Sequence, residues 1–187
     1  ALIAREAYKN EAFRIICGTK TYTIPFTNKH TDEETYLQNH HQMLYPLKTR
    51  KYLYDYCTGG KTGYTTKAGG TLVTFAKRGD QELIVVDLCA HGYELYEDTI
   101  KMLNYGFNNY KTIAPFKTMN TVLKDDTYGF LKTGNELSPY KIPLKHLNDV
   151  TVMLEKKQSA SKLTYKCKDN KYIISYDGKQ IGSVKLY

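Results

Sequence analysis

The string Gly59-Gly60-Lys61-Thr62-Gly63-Tyr64-Thr65, followed by Ala68-Gly69, gathers a cation, hydroxyls and small residues within a few positions. Two chemistries use such a set. One is phosphate binding, in which a glycine, four intervening residues and then Gly-Lys-Thr wrap an anion. Gly60-Lys61-Thr62 fits the end of that pattern, but the required first glycine falls on Asp55. The pattern also predicts neither a strand into Asp55 nor a helix after Thr62. The other chemistry is acyl transfer to a serine, where Lys-Thr-Gly lies on a strand bordering the cleft. There the lysine and the neighbouring hydroxyl grip a substrate carboxylate through charge-assisted hydrogen bonds. The glycine lets a substrate backbone approach closely. The next backbone N–H helps to hold an oxyanion. Lys61, Thr62, Gly63 and Thr65 are therefore candidate substrate contacts, and the Tyr64 N–H is the candidate oxyanion donor. A bare Lys-Thr-Gly says little: the chain holds a second copy at Lys132-Thr133-Gly134, without the same surroundings. The plain structural alternative for the first copy is a glycine-rich hairpin bearing an exposed lysine.

The elements around the first copy are regular. Residues 59–66, 71–77 and 82–89 alternate or run apolar as strands do, with Arg78-Gly79-Asp80 as a turn. Short connections predict an antiparallel meander. Tyr93 to Tyr105 has helical spacing, with Leu95, Thr99, Met102 and Leu103 on one face and Gly106 as its stop. Such a helix would cover one face of the sheet. Upstream, residues 1–17 read as one amphipathic helix ended by Gly18, and 19–24 as a strand ended by Pro25. Residues 26–50 are polar and irregular, with Thr31 and Glu34 as a possible capping box. The composition changes near Asn109. A linker is expected at 110–117 and a small β domain at 118–187, with strands near 150–154, 163–167 and 172–175 and a hairpin turn at 176–179. The predicted class is α+β: an antiparallel sheet with a covering helix in residues 1–109, then a small all-β domain.

Of the 187 residues 41% are hydrophobic, which is enough for a core and argues against disorder. The net charge of +8 comes from scattered lysines. It suits anionic surroundings, but no basic run and no RNA-binding aromatic motif singles out nucleic acid. The 18 tyrosines suit half-buried strands or surfaces that meet polar polymers. Cys17, Cys57, Cys89 and Cys167 form no C-x-x-C pair and have no histidine at ligand spacing, so neither a zinc site nor a disulfide scaffold is read. No metal or cofactor is expected. His40-His41 point apart on any regular element, which favours a polar loop over a metal site. His91 reads as a solvated turn residue, and Asp87, inside an apolar strand, as paired or at a sheet edge without a catalytic role. No secretion leader and no apolar run of about 18 residues is visible. The opening Ala1-Leu2-Ile3 is already in helical rhythm, as expected of a piece of a longer polypeptide.

GGKTGYTTKAGGTLVTFAKRGDQELIVVDL, residues 59–88, resembles the D-alanyl-D-alanine carboxypeptidases of the low-molecular-mass penicillin-binding proteins. Residues 1–28 are similar to the helix and strand that precede this region there, 96–110 to the family's closing helix, and 118–187, more loosely, to its C-terminal β domain. The resemblance implies a penicillin-binding, β-lactamase-like fold. It also implies acyl-enzyme chemistry on peptidoglycan pentapeptides, β-lactams as inhibitors, and a place at the outer face of the cell membrane or in secretion. By the same token Lys61 and Thr62 would hold the terminal carboxylate, Gly63 would admit the substrate and Tyr64 would donate to the oxyanion. The family's S-x-x-K and S-x-N elements precede the region where this chain begins. No S-x-N is present, and the S-x-x-K at Ser138-Pro139-Tyr140-Lys141 follows the Lys-Thr-Gly instead of preceding it, with Pro143 two residues further on arguing against a continuing helix. The chain alone is therefore expected to be inactive, with the missing N-terminal half of the same enzyme as its partner. A β-lactamase or esterase of the same superfamily, and a non-enzymatic wall-binding or remnant module, are the alternatives.

Overall fold

The computed structural model describes residues 1–29, 34–116, 130–133, 136–139, 150–168 and 171–185. Contacts divide the chain into two units, Ala1–Asn108 and Asn109–Tyr187.

In the first unit the alternation downstream of Cys57 becomes an antiparallel meander. It comprises β3 (Cys57–Thr65), β4 (Gly69–Arg78) and β5 (Gln81–Ala90), in the order β3-β4-β5. Two earlier strands, β1 (Thr21–Ile24) and β2 (Thr35–Gln38), form a separate hairpin. Thr31 of the expected capping box lies outside the described residues, and Glu34 directly precedes β2. Strand residues alternate between sheet faces. Leu72, Thr74 and Ala76 of β4 are buried towards one face, and Phe75 towards the other.

Helix α3 (Glu94–Asn109) covers the first face, as its apolar stripe predicts. Leu95, Tyr96, Leu103 and Phe107 pack there with Leu72, Ala76 and Val85, joined by Met43 and Tyr52 from the preceding loop. The helix does not stop at Gly106 but runs through it. A Cβ at Gly106 would stand 2.6 Å from Leu83 Cδ1, so the glycine serves the approach of helix to sheet rather than termination.

On the second face Phe75 stacks on Tyr8, with ring centroids 4.4 Å apart, and meets Phe13 edge-on at 5.9 Å. These two rings come from different helices. The single helix expected over 1–17 is two, α1 (Leu2–Tyr8) and α2 (Glu11–Gly18). Asn10 makes the break: its extended backbone and its side-chain oxygen, which accepts from the Phe13 N–H at 3.2 Å, start a new helix. The break lets Tyr8 and Phe13 meet one phenylalanine from two directions. Gly18 is the last residue of α2, and a Cβ on it would come within 2.7 Å of the Thr58 carbonyl oxygen. Its smallness lets α2 lie against β3.

The second unit is all-β among its described residues, apart from one 3-10 turn. The expected linker at 110–117 is corrected at its start: Tyr110–Ile113 is β6, which pairs antiparallel with β9 (Val152–Glu155). A hairpin of β7 (Phe130–Thr133) and β8 (Glu136–Pro139) lies between them in sequence. Strands β10 (Leu163–Lys168), β11 (Lys171–Tyr176) and β12 (Lys179–Lys185) form a meander. Asp177 and Gly178 both have positive φ, 48° and 78°, as a two-residue hairpin turn requires. The core is Phe116, Val152, Leu154, Leu163, Tyr172 and Ile174. Gly134 of the second Lys-Thr-Gly, and Tyr140 and Lys141 of the S-x-x-K at 138–141, lie outside the described residues.

Candidate functional site

The Lys-Thr-Gly string occupies β3, the edge strand of its sheet. Its register pairs Lys61 with Val73, Thr62 with Leu72, Gly63 with Thr71, Tyr64 with Gly70 and Thr65 with Gly69. Opposed residues of an antiparallel pair share a face. Lys61 therefore stands on the side of α1 and α2, and Thr62 on the side of α3. A ligand that meets both must lie across the strand's free edge, not upon one face of the sheet. Lys61 is exposed and its Nζ donates to the Thr62 carbonyl oxygen at 2.5 Å. Thr62 is half-buried, while Gly63, Tyr64 and Thr65 are exposed. Thr65 has a local task, since its Oγ1 accepts from the Ala68 N–H at 3.0 Å and closes the β3–β4 turn. Gly63 also has a reason internal to the sheet: a Cβ there would come within 2.5 Å of Thr71 Oγ1.

The strand is braced on both sides, by Cys17 at the end of α2 and by His41 from the loop before β3. On the α2 side the Cys17 carbonyl oxygen lies where a Cβ on Gly59 would be 2.9 Å away. The Cys17 thiol is half-buried near Lys61. Burial raises its pKa and the Lys61 charge partly offsets the rise. The Asn39 amide donates to the carbonyl oxygens of Cys17 at 3.3 Å and Thr19 at 2.9 Å, and its Oδ1 accepts the His41 N–H at 2.9 Å. This one side chain ties the end of α2 to the segment beneath the sheet. His41 is fully buried there, with Nε2 at 2.9 Å from Thr74 Oγ1, so the expected polar loop holds for exposed His40 and not for His41. The segment Asn39-His40-His41-Gln42-Met43-Leu44 has no strand or helix period, and the sheet above it, not its own pattern, buries it.

His91 is exposed, as expected of a turn residue. Asp87 lies on outer strand β5, paired in register with Leu72 and so facing α3. Its Oδ2 is buried without a hydrogen-bond partner among the described residues. Burial, and then the Asp98 carboxylate, push its pKa above the usual carboxylate range. The folded state thus holds this proton more tightly than the unfolded chain, and stability falls as pH rises from the ordinary aspartate range through the raised value. Asp87→Asn is expected to raise the melting temperature at pH 7, with a gain that shrinks towards pH 4. Equal gains at both pH values would contradict this account.

The fold is similar to that of about half the chain of solved penicillin-binding proteins. Penicillin-binding protein 5 of Haemophilus influenzae superposes with a TM-score of 0.62 over 98% of this chain and 52% of its own, at 22% identity. Penicillin-binding protein 6B of Escherichia coli gives 0.55 over 99% of this chain and 47% of its own, at 18% identity. A mutant of a Streptomyces DD-transpeptidase is 30% identical over 57% of this chain and 40% of its own, with a TM-score of 0.50. In sequence the chain is related to the D-alanyl-D-alanine carboxypeptidase DacF of Bacillus subtilis strain 168, with 26% identity over 189 residues covering all of this chain. That match takes in 44% of the relative, so the chain spans less than half of the curated protein it matches. No family model matches the chain.

Proposed function

We propose that this chain is the C-terminal part of a serine-type D-alanyl-D-alanine carboxypeptidase acting on peptidoglycan stem peptides, with β3 as the strand that receives the substrate's free carboxylate. The observation that carries this reading is the placement of Lys61-Thr62-Gly63 on the free edge of a three-stranded sheet with one face roofed by α3. Lys61 supplies the cation and Thr62 the hydroxyl from the two sides of that edge. Gly63 leaves room for the peptide backbone. The Tyr64 N–H donates to the oxyanion, and Thr65 touches the substrate beyond the carboxylate. The nucleophilic serine comes from a segment of the same enzyme outside these 187 residues. Its Oγ bonds to the carbonyl carbon of the penultimate D-alanine while the bond to the terminal D-alanine breaks and the departing amine takes up a proton. Water then cleaves the ester. On this reading the chain alone catalyses nothing, β-lactams trap the complete enzyme, and the enzyme works at the outer face of the cell membrane. Among the described residues no helix is long and apolar enough to cross a membrane.

Incubation of the complete protein with a fluorescent penicillin tests the reading. A covalent band that survives denaturation and disappears under excess unlabelled penicillin is expected, with release of D-alanine from a peptide ending in D-Ala-D-Ala. A complete protein that neither labels nor releases D-alanine would sink it.

A further inference from the structure

Beneath β3 lies a buried imidazole to which the proposed mechanism gives no task. Gly60, directly before Lys61, is paired in register with Thr74, so both face His41. A Cβ on Gly60 would come within 2.5 Å of His41 Nε2 and 2.6 Å of its Cδ2, so the ring touches the strand's main chain. Thr74 Oγ1 sits 2.9 Å from Nε2 and donates its own hydrogen towards Met43 Sδ at 3.8 Å. With the threonine hydrogen so directed, Nε2 is the donating nitrogen. Nδ1 is buried with no hydrogen-bond partner among the described residues. Tyr96 of α3 meets the ring edge-on with centroids 6.3 Å apart. The main chain is fixed as well: the N–H goes to Asn39, and the carbonyl accepts from Leu44 and Tyr45.

We propose that His41 is a positioning residue for the Lys-Thr-Gly strand: in its neutral form it seats β3 through Gly60 and Thr74, and its protonation unseats the strand and weakens carboxylate binding by Lys61 and Thr62. This rests on the function proposed above. The groups that act on the ring are the Thr74 hydroxyl and the Val73 main chain from β4, the main chain of His41 itself, the Tyr96 ring from α3, and the Lys61 charge from the other side of β3. No carboxylate among them would welcome a second proton. That proton would settle on Nδ1, which is buried with no hydrogen-bond partner among the described residues, and Lys61 repels it. Burial, helped weakly by Lys61, holds the pKa down at about 4 against main-chain hydrogen bonds to Val73 and to His41 itself that raise it. The unfolded chain protonates this histidine near its ordinary value of about 6.5. The seat is therefore complete above that value and is lost as pH falls towards the depressed one.

Two measurements on the complete protein test the assignment. The first needs no substrate: hydrogen-exchange protection of the 59–63 amides, corrected for intrinsic rates, beside the titration of the His41 ring by NMR. Protection is expected to fall about tenfold or more on acidification, with a midpoint within about one pH unit of the His41 titration. Midpoints further apart, or protection insensitive to pH, overturn the proposal. The second measures penicillin acylation at pH 7.5 and pH 4 in the unsubstituted protein and in His41→Gln, whose amide reaches Thr74 but does not titrate. The ratio of the two rates should shrink about twofold or more in the variant, as half-protonation of the ring implies, and an unchanged ratio overturns the proposal. If the unsubstituted protein is not acylated at all, the proposed function fails and the exchange measurement alone decides for or against His41. If His41→Gln does not fold, the same measurement on the unsubstituted protein decides.

Discussion

Lys61→Ala in the complete protein lowers the second-order rate of penicillin acylation by about 10- to 100-fold, the size of one lost charge-assisted hydrogen bond of roughly 1.5–3 kcal/mol. The loss falls on binding and acylation, not on folding. Lys61 is exposed, and the hydrogen bond seen for its ammonium runs to the neighbouring carbonyl of Thr62. An exposed side chain of this kind contributes within about 0.5 kcal/mol to stability. Unfolding and labelling measured on one preparation separate the two effects. Lys61→Arg keeps the charge and tests geometry, because a planar fork does not reproduce a compact ammonium. An alanine variant that labels as fast as the unsubstituted protein removes Lys61 from the site and with it the proposed role of β3.

The second large effect is structural. Phe75→Ala is expected to cost about 3–5 kcal/mol, the range for deleting a buried aromatic ring from a packed core. The ring is 2% exposed, stacks on Tyr8 and takes the edge of Phe13. It is the shared contact of α1 and α2 on that face of the sheet. It also lies opposite Gly59 in the register, filling the space beside a residue that has no side chain. Losing it should loosen the crossing of α2 over β3 and lower the unfolding midpoint by roughly 10 °C. Phe75→Leu keeps most of the volume and should recover more than half of the loss. A cost below about 1 kcal/mol for the alanine variant would mean that the two helices are held by other contacts.

What could be read from the chain before its structure was known follows a physical line. In the meander β4 announces itself by alternation along its first half and β5 by its apolar run, with a turn between them. The covering helix shows its stripe in the same way. Asn10 was hidden within a helical spacing that continues on both sides of it, and only its cap to Phe13 shows the break. Gly106 read as a stop because a glycine's conformational freedom is visible in a sequence, whereas the nearness of Leu83 is not. Tyr110–Ile113 read as a connection because four half-buried residues become a strand only once Val152–Glu155 lies beside them. The Lys-Thr-Gly string was legible as a local motif, but its support was not. Asn39 and His41 act on β3 from about 20 positions away, through contacts that no spacing encodes.

The crowding around the glycines has a consequence for how this protein tolerates change. At Gly18, Gly59 and Gly60 even one methyl group would collide with main-chain atoms at under 3.0 Å, whereas at Gly63 and Gly106 it would meet the side chains of Thr71 and Leu83. A saturation library scored for protein abundance should therefore show Gly18, Gly59 and Gly60 as blanks, whether or not the proposed activity is under selection. Lys61, exposed among them, should stay freely variable in that assay and become intolerant only when survival depends on activity, whereas exposed Tyr64, which acts through its N–H, should accept any residue but proline in both. The two maps laid over each other would divide, within a single strand, what the scaffold demands from what the reaction demands.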